Sequence, residues 1–115
     1  VVTISSNTLT KNIPLTGSPN SARLVGTKLY INNLSSSNVT VINTADNTIT
    51  KTIPVEAGPI FSSVVGTKLY VMNKRGHSVT VIDTATNEVI ATIPVGAEPL
   101  SAALVGTSLY VNNSL

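Results

Sequence analysis

The sequence predicts an all-β fold made of four-stranded antiparallel β-propeller blades, and three observations support this prediction. First, a unit of 40 residues recurs, marked by VGTKLY at 25–30 and 65–70 and by VGTSLY at 105–110. Second, each unit contains short runs rich in β-branched residues, separated by turn residues. Third, no stretch has the apolar spacing of an amphipathic helix. Four strands joined by hairpins in a unit of about 40 residues are typical of a propeller blade.

The composition is that of a small folded domain. The chain has 115 residues, of which 42% are hydrophobic and 10% are charged, so disorder is not expected. It contains no Cys, which excludes disulfide bonds and thiolate metal sites. No apolar run approaches the roughly 20 residues that span a bilayer. We therefore expect no membrane span, and because the net charge is only +2, we expect no nucleic-acid partner.

The turn residues indicate hairpins within each unit. We label the predicted strands a to d, represented by residues 100–105 (a), 109–113 (b), 79–82 (c) and 89–95 (d). Gly66 lies between strands a and b, where a tight turn requires positive φ. Asn87 lies between strands c and d, and Asn is one of the few other residues that accept this conformation.

The units are out of phase with the chain, which we interpret as a single repeat array over residues 1–115. Residues 1–15 supply only strands c and d of a first blade, with strand c at 1–4 and strand d at 9–15. Two complete blades follow at 20–55 and 60–95, and residues 100–115 supply only strands a and b of another. The array therefore amounts to three blade equivalents.

The repeated motifs resemble those of a known family. The segments LYVMN (69–73) and VTVIDTATNEVIATIPVG (79–96), with their counterparts LYINN (29–33) and VTVINTADNTITKTIPV (39–55), resemble the YVTN β-propeller repeat. The resemblance covers essentially the whole chain. It implies a multi-bladed propeller, often seven-bladed and within a longer chain, in an archaeal or bacterial surface-layer or secreted protein. It implies a fold and a location more than a reaction.

Three blade equivalents cannot close a ring, because known propellers take roughly four to eight blades. The predicted open edges are strand c at Val1, Val2, Thr3 and Ile4, and strand b at Leu109, Tyr110, Val111, Asn112 and Asn113. Unpaired apolar edges are templates for pairing with another chain. We therefore expect completion by a second copy, in a six-bladed ring of two chains or in an open fibre. The alternative is that these residues are part of a longer propeller.

Residues suited to catalysis are few. His77 is the only His, and its neighbours Lys74 and Arg75 are cationic, so neither a general base nor a metal site is indicated. Asp83 ends strand c and is expected to accept backbone hydrogen bonds in the next turn. We expect no enzyme activity, no cofactor and no metal. One alternative stays open: in a ring of two chains, a metal ion could bridge the two His77 side chains.

The recurring tyrosines carry an expectation about packing. Tyr30, Tyr70 and Tyr110 lie mid-strand between aliphatic residues, so we expect them to pack between blades with hydrogen-bonded hydroxyls. The alternative is an aromatic binding platform. Phe61, at the inner strand, is expected to be buried between blades or to face the central channel.

Three sequons suggest sites of modification. Asn33, Asn38 and Asn112 each begin an Asn-x-Ser/Thr triplet, and in a secreted protein such residues are possible glycan acceptors.

The sequence thus favours an extracellular or cell-surface structural or adhesive module that assembles with itself, as a surface-layer, filament or appendage subunit. The alternative is a ligand-binding propeller, lectin-like or protein-binding, whose variable loops at 33–38 and 73–78 would contact glycans or surface proteins.

Overall fold

The computed structural model describes residues 1–115 and contains strands connected by turns and loops. The twelve strands are β1 (Val2–Thr3), β2 (Thr8–Leu9), β3 (Pro19–Val25), β4 (Lys28–Asn33), β5 (Asn38–Asn43), β6 (Thr48–Pro54), β7 (Pro59–Val65), β8 (Lys68–Asn73), β9 (Ser78–Asp83), β10 (Glu88–Pro94), β11 (Pro99–Val105) and β12 (Ser108–Asn113). No helix with the length and apolarity of a membrane span occurs.

The strands form two complete sheets and two partial ones, all antiparallel. Strands β3 to β6 form one four-stranded meander and β7 to β10 form the next, while β1 pairs only with β2 and β11 only with β12. We call these sheets half blade I (β1–β2), blade II (β3–β6), blade III (β7–β10) and half blade IV (β11–β12). The predicted all-β propeller architecture is confirmed.

The hairpins follow from the conformations of their turn residues. The glycines between the first two strands of each unit have φ of 60° at Gly26, Gly66 and Gly106. A side chain would be strained in this left-handed region, whereas Gly enters it freely. The turns between the last two strands place Asn47 and Asn87 at φ 59° and 57°. Each repeat therefore folds back at the same two points.

The core lies between blades II and III. Blade II contributes Tyr30, Val39, Val41 and Ile53, and blade III contributes Leu69, Val71 and Ile82. In a strand, alternate residues point to opposite faces of the sheet. Strand β9 is buried over five successive residues, so both of its faces are covered by neighbouring sheets. Propeller blades stack in this way, each sheet packing against the next.

Half blade I differs from the prediction in the length of its last strand. A strand over residues 9–15 was expected, but only Thr8–Leu9 pairs as strand β2. By the repeat, Val1 corresponds to Val41, and its carbonyl oxygen already receives the amides of Thr10 at 2.9 Å and Lys11 at 3.4 Å. In blade II the counterparts of residues 12–14 pair with residues 38–40, which precede the counterpart of Val1.

Candidate functional site: the blade interfaces

The interface between blades II and III contains the hydrophobic core cluster of the molecule. We call the side of a blade that looks toward the following blade its forward face, and the opposite side its rear face. The forward face of blade II packs its apolar residues against the rear face of blade III, where Leu69, Val71 and Ile82 lie with Val64 beside them. Burial of these aliphatic side chains is the main force that holds the two blades together.

Tyr30 connects the two blades at one end of this interface through hydrogen bonds. Its side chain is fully buried, and its hydroxyl donates to Asn87 Oδ1 at 2.6 Å and reaches the Thr84 carbonyl oxygen at 3.2 Å. Both acceptors belong to the last turn of blade III. Burial, with a smaller contribution from the Asp83 carboxylate, raises the pKa of Tyr30. The hydroxyl therefore remains a donor at neutral pH.

A cluster of polar side chains forms hydrogen bonds across the interface near the inner strands. Asn32 Nδ2 donates to Ser21 Oγ and to Ser62 Oγ, both at 2.9 Å. Arg23 donates through Nε and Nη2 to the Ser62 carbonyl oxygen at 3.1 and 2.6 Å, and its guanidinium lies 5.7 Å from the ring centre of Phe61. Phe61 is thus half-buried under a cation from the preceding blade. No sequence motif indicated that Arg23 would stack on Phe61 of the next blade.

Charged contacts on the outer part connect successive blades more loosely. Lys51 Nζ lies 2.8 Å from Glu88 Oε1, and Lys11 Nζ donates to the Asn47 carbonyl oxygen at 2.9 Å. Lys11 and Lys51 are equivalent in the repeat, so the lysine at this position contacts the following blade in both units.

The two outer sheet faces lack such a partner. Tyr110, which corresponds to the buried Tyr30, is 63% exposed on the forward face of half blade IV. On blade III, which is followed by only the first two strands of half blade IV, Ile93 is 43% exposed, whereas its counterpart Ile53 is 2% exposed. On the rear face of blade II, Leu24 is 59% exposed. Equivalent sheet faces are therefore buried between blades II and III, the closed interface, and exposed to solvent at the two ends of the array, the open faces.

Each open face carries a shallow depression. One, of about 280 Å³, lies on half blade IV beside Ala103, Tyr110 and Asn112. The other, of about 260 Å³, lies on blade II beside Leu15, Ala22 and Ile31.

The predicted edge residues lie at opposite ends of the array, whose longest dimension is 44 Å. At one end, β1 pairs only with β2, and Val1, Val2 and Ile4 are exposed while Thr3 is half-buried. At the other, β12 pairs only with β11. There Tyr110, Asn112 and Asn113 are exposed, and Leu109 and Val111 are half-buried. The structure does not bring the two edges together within one chain.

The sequons have unequal access to solvent. Asn33 is fully buried, and its Nδ2 donates to Asn38 Oδ1 at 2.7 Å and to Thr40 Oγ1 at 2.8 Å. In the folded blade this nitrogen is therefore occupied by two hydrogen bonds. Asn38 is half-buried, and Asn112 is exposed on half blade IV. A sequon reports only the local triplet, whereas burial depends on the opposing strand.

The residues considered for catalysis stay apart. His77 is exposed in the loop after β8 with φ of 50°, and no group of three or more His, Asp or Glu side chains is placed to hold a metal ion. Asp83 Oδ1 accepts the amide of Ala85 at 2.9 Å, as Asn43 Oδ1 does from Ala45. The expected turn role of Asp83 is confirmed.

The repeated four-stranded sheets, stacked face to face, define the chain as a β-propeller repeat array. No protein-family model matches it, and neither does any curated protein. Among solved structures, it is similar to hydrazine synthase of Kuenenia stuttgartiensis, with a TM-score of 0.79 and 28% sequence identity over 90% of this chain and 32% of that one.

A more distant similarity is to apo AztD from Citrobacter koseri, with a TM-score of 0.58 and 16% identity over 65% of this chain and 23% of that one. A further AztD structure gives the same score and identity. These similarities concern the propeller fold. The chain spans about a third or less of the length of the solved chains it matches.

Proposed function

We propose that this chain is an extracellular structural module, of the YVTN-repeat type, that assembles with further copies of itself through its open edges. The observation that carries the proposal is the complementarity of the two half blades. Half blade IV has the first two strands of a blade and half blade I has the last two, and the edges of β12 and β1 that would face the missing strands have no partner. Joined in trans, they make up one four-stranded sheet.

The repeat also supplies a register for this joint. In blade III, β8 pairs with β9 so that Lys68, Leu69 and Tyr70 oppose Asp83, Ile82 and Val81. Carried to the half blades, this register places Ser108 opposite Thr3, Leu109 opposite Val2, and Tyr110 opposite Val1 of the second copy. Strand β12 carries no charged residue or Pro, the features that commonly discourage edge pairing. The edge is therefore suited to accept a strand.

The assembly takes one of two forms, set by geometry. If the head-to-tail contact closes after two chains, the product is a six-bladed ring. If it does not close, the same contact builds a filament. Either product suits a surface-layer, filament or adhesive role, in which the work is done by the assembly and the variable loops meet glycans or surface proteins. The scattered acids and the lone, exposed His77 support a role without catalysis.

A second candidate is favoured by the comparisons. Because the chain spans about a third or less of the solved chains that it matches, its blades could be three of those in a longer propeller. Neighbouring blades of the same polypeptide would then fill the two edges, and copies of this chain would not need to pair.

Disulfide trapping in trans distinguishes these functions, since the chain has no cysteine of its own. One preparation carries Thr3→Cys and the other Ser108→Cys, residues whose Cα atoms would lie about 5 Å apart across an antiparallel pair. We expect a mixed disulfide dimer on combining the two under mild oxidation. Asn113→Cys is the matched control, on the same strand but about 17 Å further along it. Equal trapping by both variants, or none by either, contradicts edge pairing in this register.

A further inference from the structure

The tyrosine on the second strand of each unit occupies three environments. Tyr30 is fully buried, Tyr70 is half-buried, and Tyr110 is 63% exposed. What distinguishes them is the following blade. Tyr30 reaches the turn at Thr84 and Asn87 of blade III, but the corresponding blade is only partial beyond Tyr70 and absent beyond Tyr110.

We propose that Tyr110 binds the turn at Thr44 and Asn47 of a second copy. This inference rests on the proposed self-assembly and names the contact that selects the partner. When half blade I of a second copy completes half blade IV, the next blade in the stack is blade II of that second copy. Its last turn lies where the turn of blade III lies relative to Tyr30.

The acceptor turn has the required residues in the required conformation. Thr44 and Asn47 are the repeat counterparts of Thr84 and Asn87, and the two Asn residues have nearly the same φ, 59° and 57°. The side chain of Asn87 is engaged by Tyr30, whereas that of Asn47 makes no hydrogen bond, since only its carbonyl oxygen receives Lys11 Nζ. Both donor and acceptor of the proposed contact are therefore free.

The surfaces around this contact continue an interface that the molecule already contains. The forward face of half blade IV, with its depression of about 280 Å³, would meet the rear face of blade II, with its depression of about 260 Å³. Corresponding faces form the closed interface between blades II and III. A second copy is the occupant whose shape and apolar pattern both faces already match.

The interface between two copies would have fewer side-chain hydrogen bonds than the closed interface between blades II and III. Within the chain, Arg23 and Asn32 bind Ser62. At the open faces the counterpart of Arg23 is Ala103 and that of Ser62 is Ala22, which have no side-chain donor or acceptor. The hydroxyl of Tyr110 thus becomes the main directional contact, and its loss should be measurable.

The test compares Tyr110→Phe and Asn47→Gly with the parent by sedimentation velocity over a concentration series. Gly keeps the left-handed φ without strain while removing the amide. We expect each variant to weaken self-association by about five- to tenfold, the effect of one hydrogen bond. The double variant should be no weaker than either single one, since both remove the same contact. Asn87→Gly is the matched control: it should lower the unfolding midpoint and leave association unchanged.

Two results would contradict the inference, and they have different consequences. If Tyr110→Phe and Asn47→Gly associate as tightly as the parent while the Thr3→Cys and Ser108→Cys chains still cross-link, edge pairing stands and the tyrosine contact is wrong. If the parent does not associate and no cross-link forms, the proposed self-assembly falls together with the contact.

Discussion

Blade III and half blade IV show how much the same sequence pattern depends on its neighbours. Strand β8 of blade III is buried at four of its six residues, whereas its repeat counterpart β12 has only exposed and half-buried positions. Both lie in units with the same motifs. The alternating pattern determines which residues share a face, but whether that face is buried is decided by the sheet stacked against it. A blade is thus a two-sided element that is stable when both sides are covered.

The largest expected effect tests this difference directly with equivalent isoleucines. Ile53→Ala removes a side chain that is 2% exposed at the closed interface, and it should lower the free energy of unfolding by about 3 kcal/mol. Ile93→Ala removes its 43% exposed counterpart, and it should cost about 1 kcal/mol or less. Urea unfolding at low protein concentration measures both. Equal losses would mean that the closed interface is no more tightly packed than the open one.

A smaller effect is expected at the tyrosines. Tyr30→Phe leaves Asn87 Oδ1 without its donor at 2.6 Å, so the free energy of unfolding should fall by about 1 kcal/mol. Tyr110→Phe removes a hydroxyl that forms no hydrogen bond within the chain, so unfolding of the isolated chain should not change. Thermal unfolding of both variants, at a concentration below association, checks the contrast. A loss at Tyr110 equal to that at Tyr30 would contradict it.

The pH dependence of stability follows from the same tyrosine. Because burial raises the pKa of Tyr30 above its ordinary value near 10, the fold favours the protonated hydroxyl. Its contribution is complete below about pH 10 and is lost as the pH rises through the folded-state pKa. We expect the urea midpoint of the parent to fall more steeply above pH 10 than that of Tyr30→Phe. If the urea midpoints of the parent and Tyr30→Phe fall in parallel above pH 10, burial does not raise the pKa of Tyr30.

The smallest effect concerns the outer ion pair. Lys51 and Glu88 are partly exposed and 2.8 Å apart, so Lys51→Ala should cost no more than about 0.5 kcal/mol. The cost should shrink further in 0.5 M salt, because exposed charges are screened. Lys68→Ala is a control at an exposed lysine without a carboxylate partner. A loss of several kcal/mol on Lys51→Ala would mean that charges, rather than apolar faces, hold the blades together.

The repeat allowed much of the fold to be predicted, because a tight turn places strict demands on particular residues. The positive φ at Gly66 and Asn87, and the turn role of Asp83, follow from local chemistry that one unit already displays. Buried packing and a bonded hydroxyl were expected of all three tyrosines, and Tyr30 alone shows both. Tyr70 is half-buried and Tyr110 is 63% exposed, and neither hydroxyl forms a hydrogen bond within the chain.

Features that depend on distant partners could not be predicted. The burial of Asn33 depends on Thr40 across the hairpin, and the cover over Phe61 comes from Arg23 in the preceding blade. The different exposures of Tyr30 and Tyr110 arise in the same way, because one unit contains no information about what stacks on the next.

The most direct test of completion in trans is the molar mass of the chain in solution, measured by light scattering over a concentration series. We expect a rise from 11.9 kDa to about twice that value for a two-chain ring, or continued growth for a filament. A mass that stays at 11.9 kDa at every concentration would contradict assembly through the open half blades.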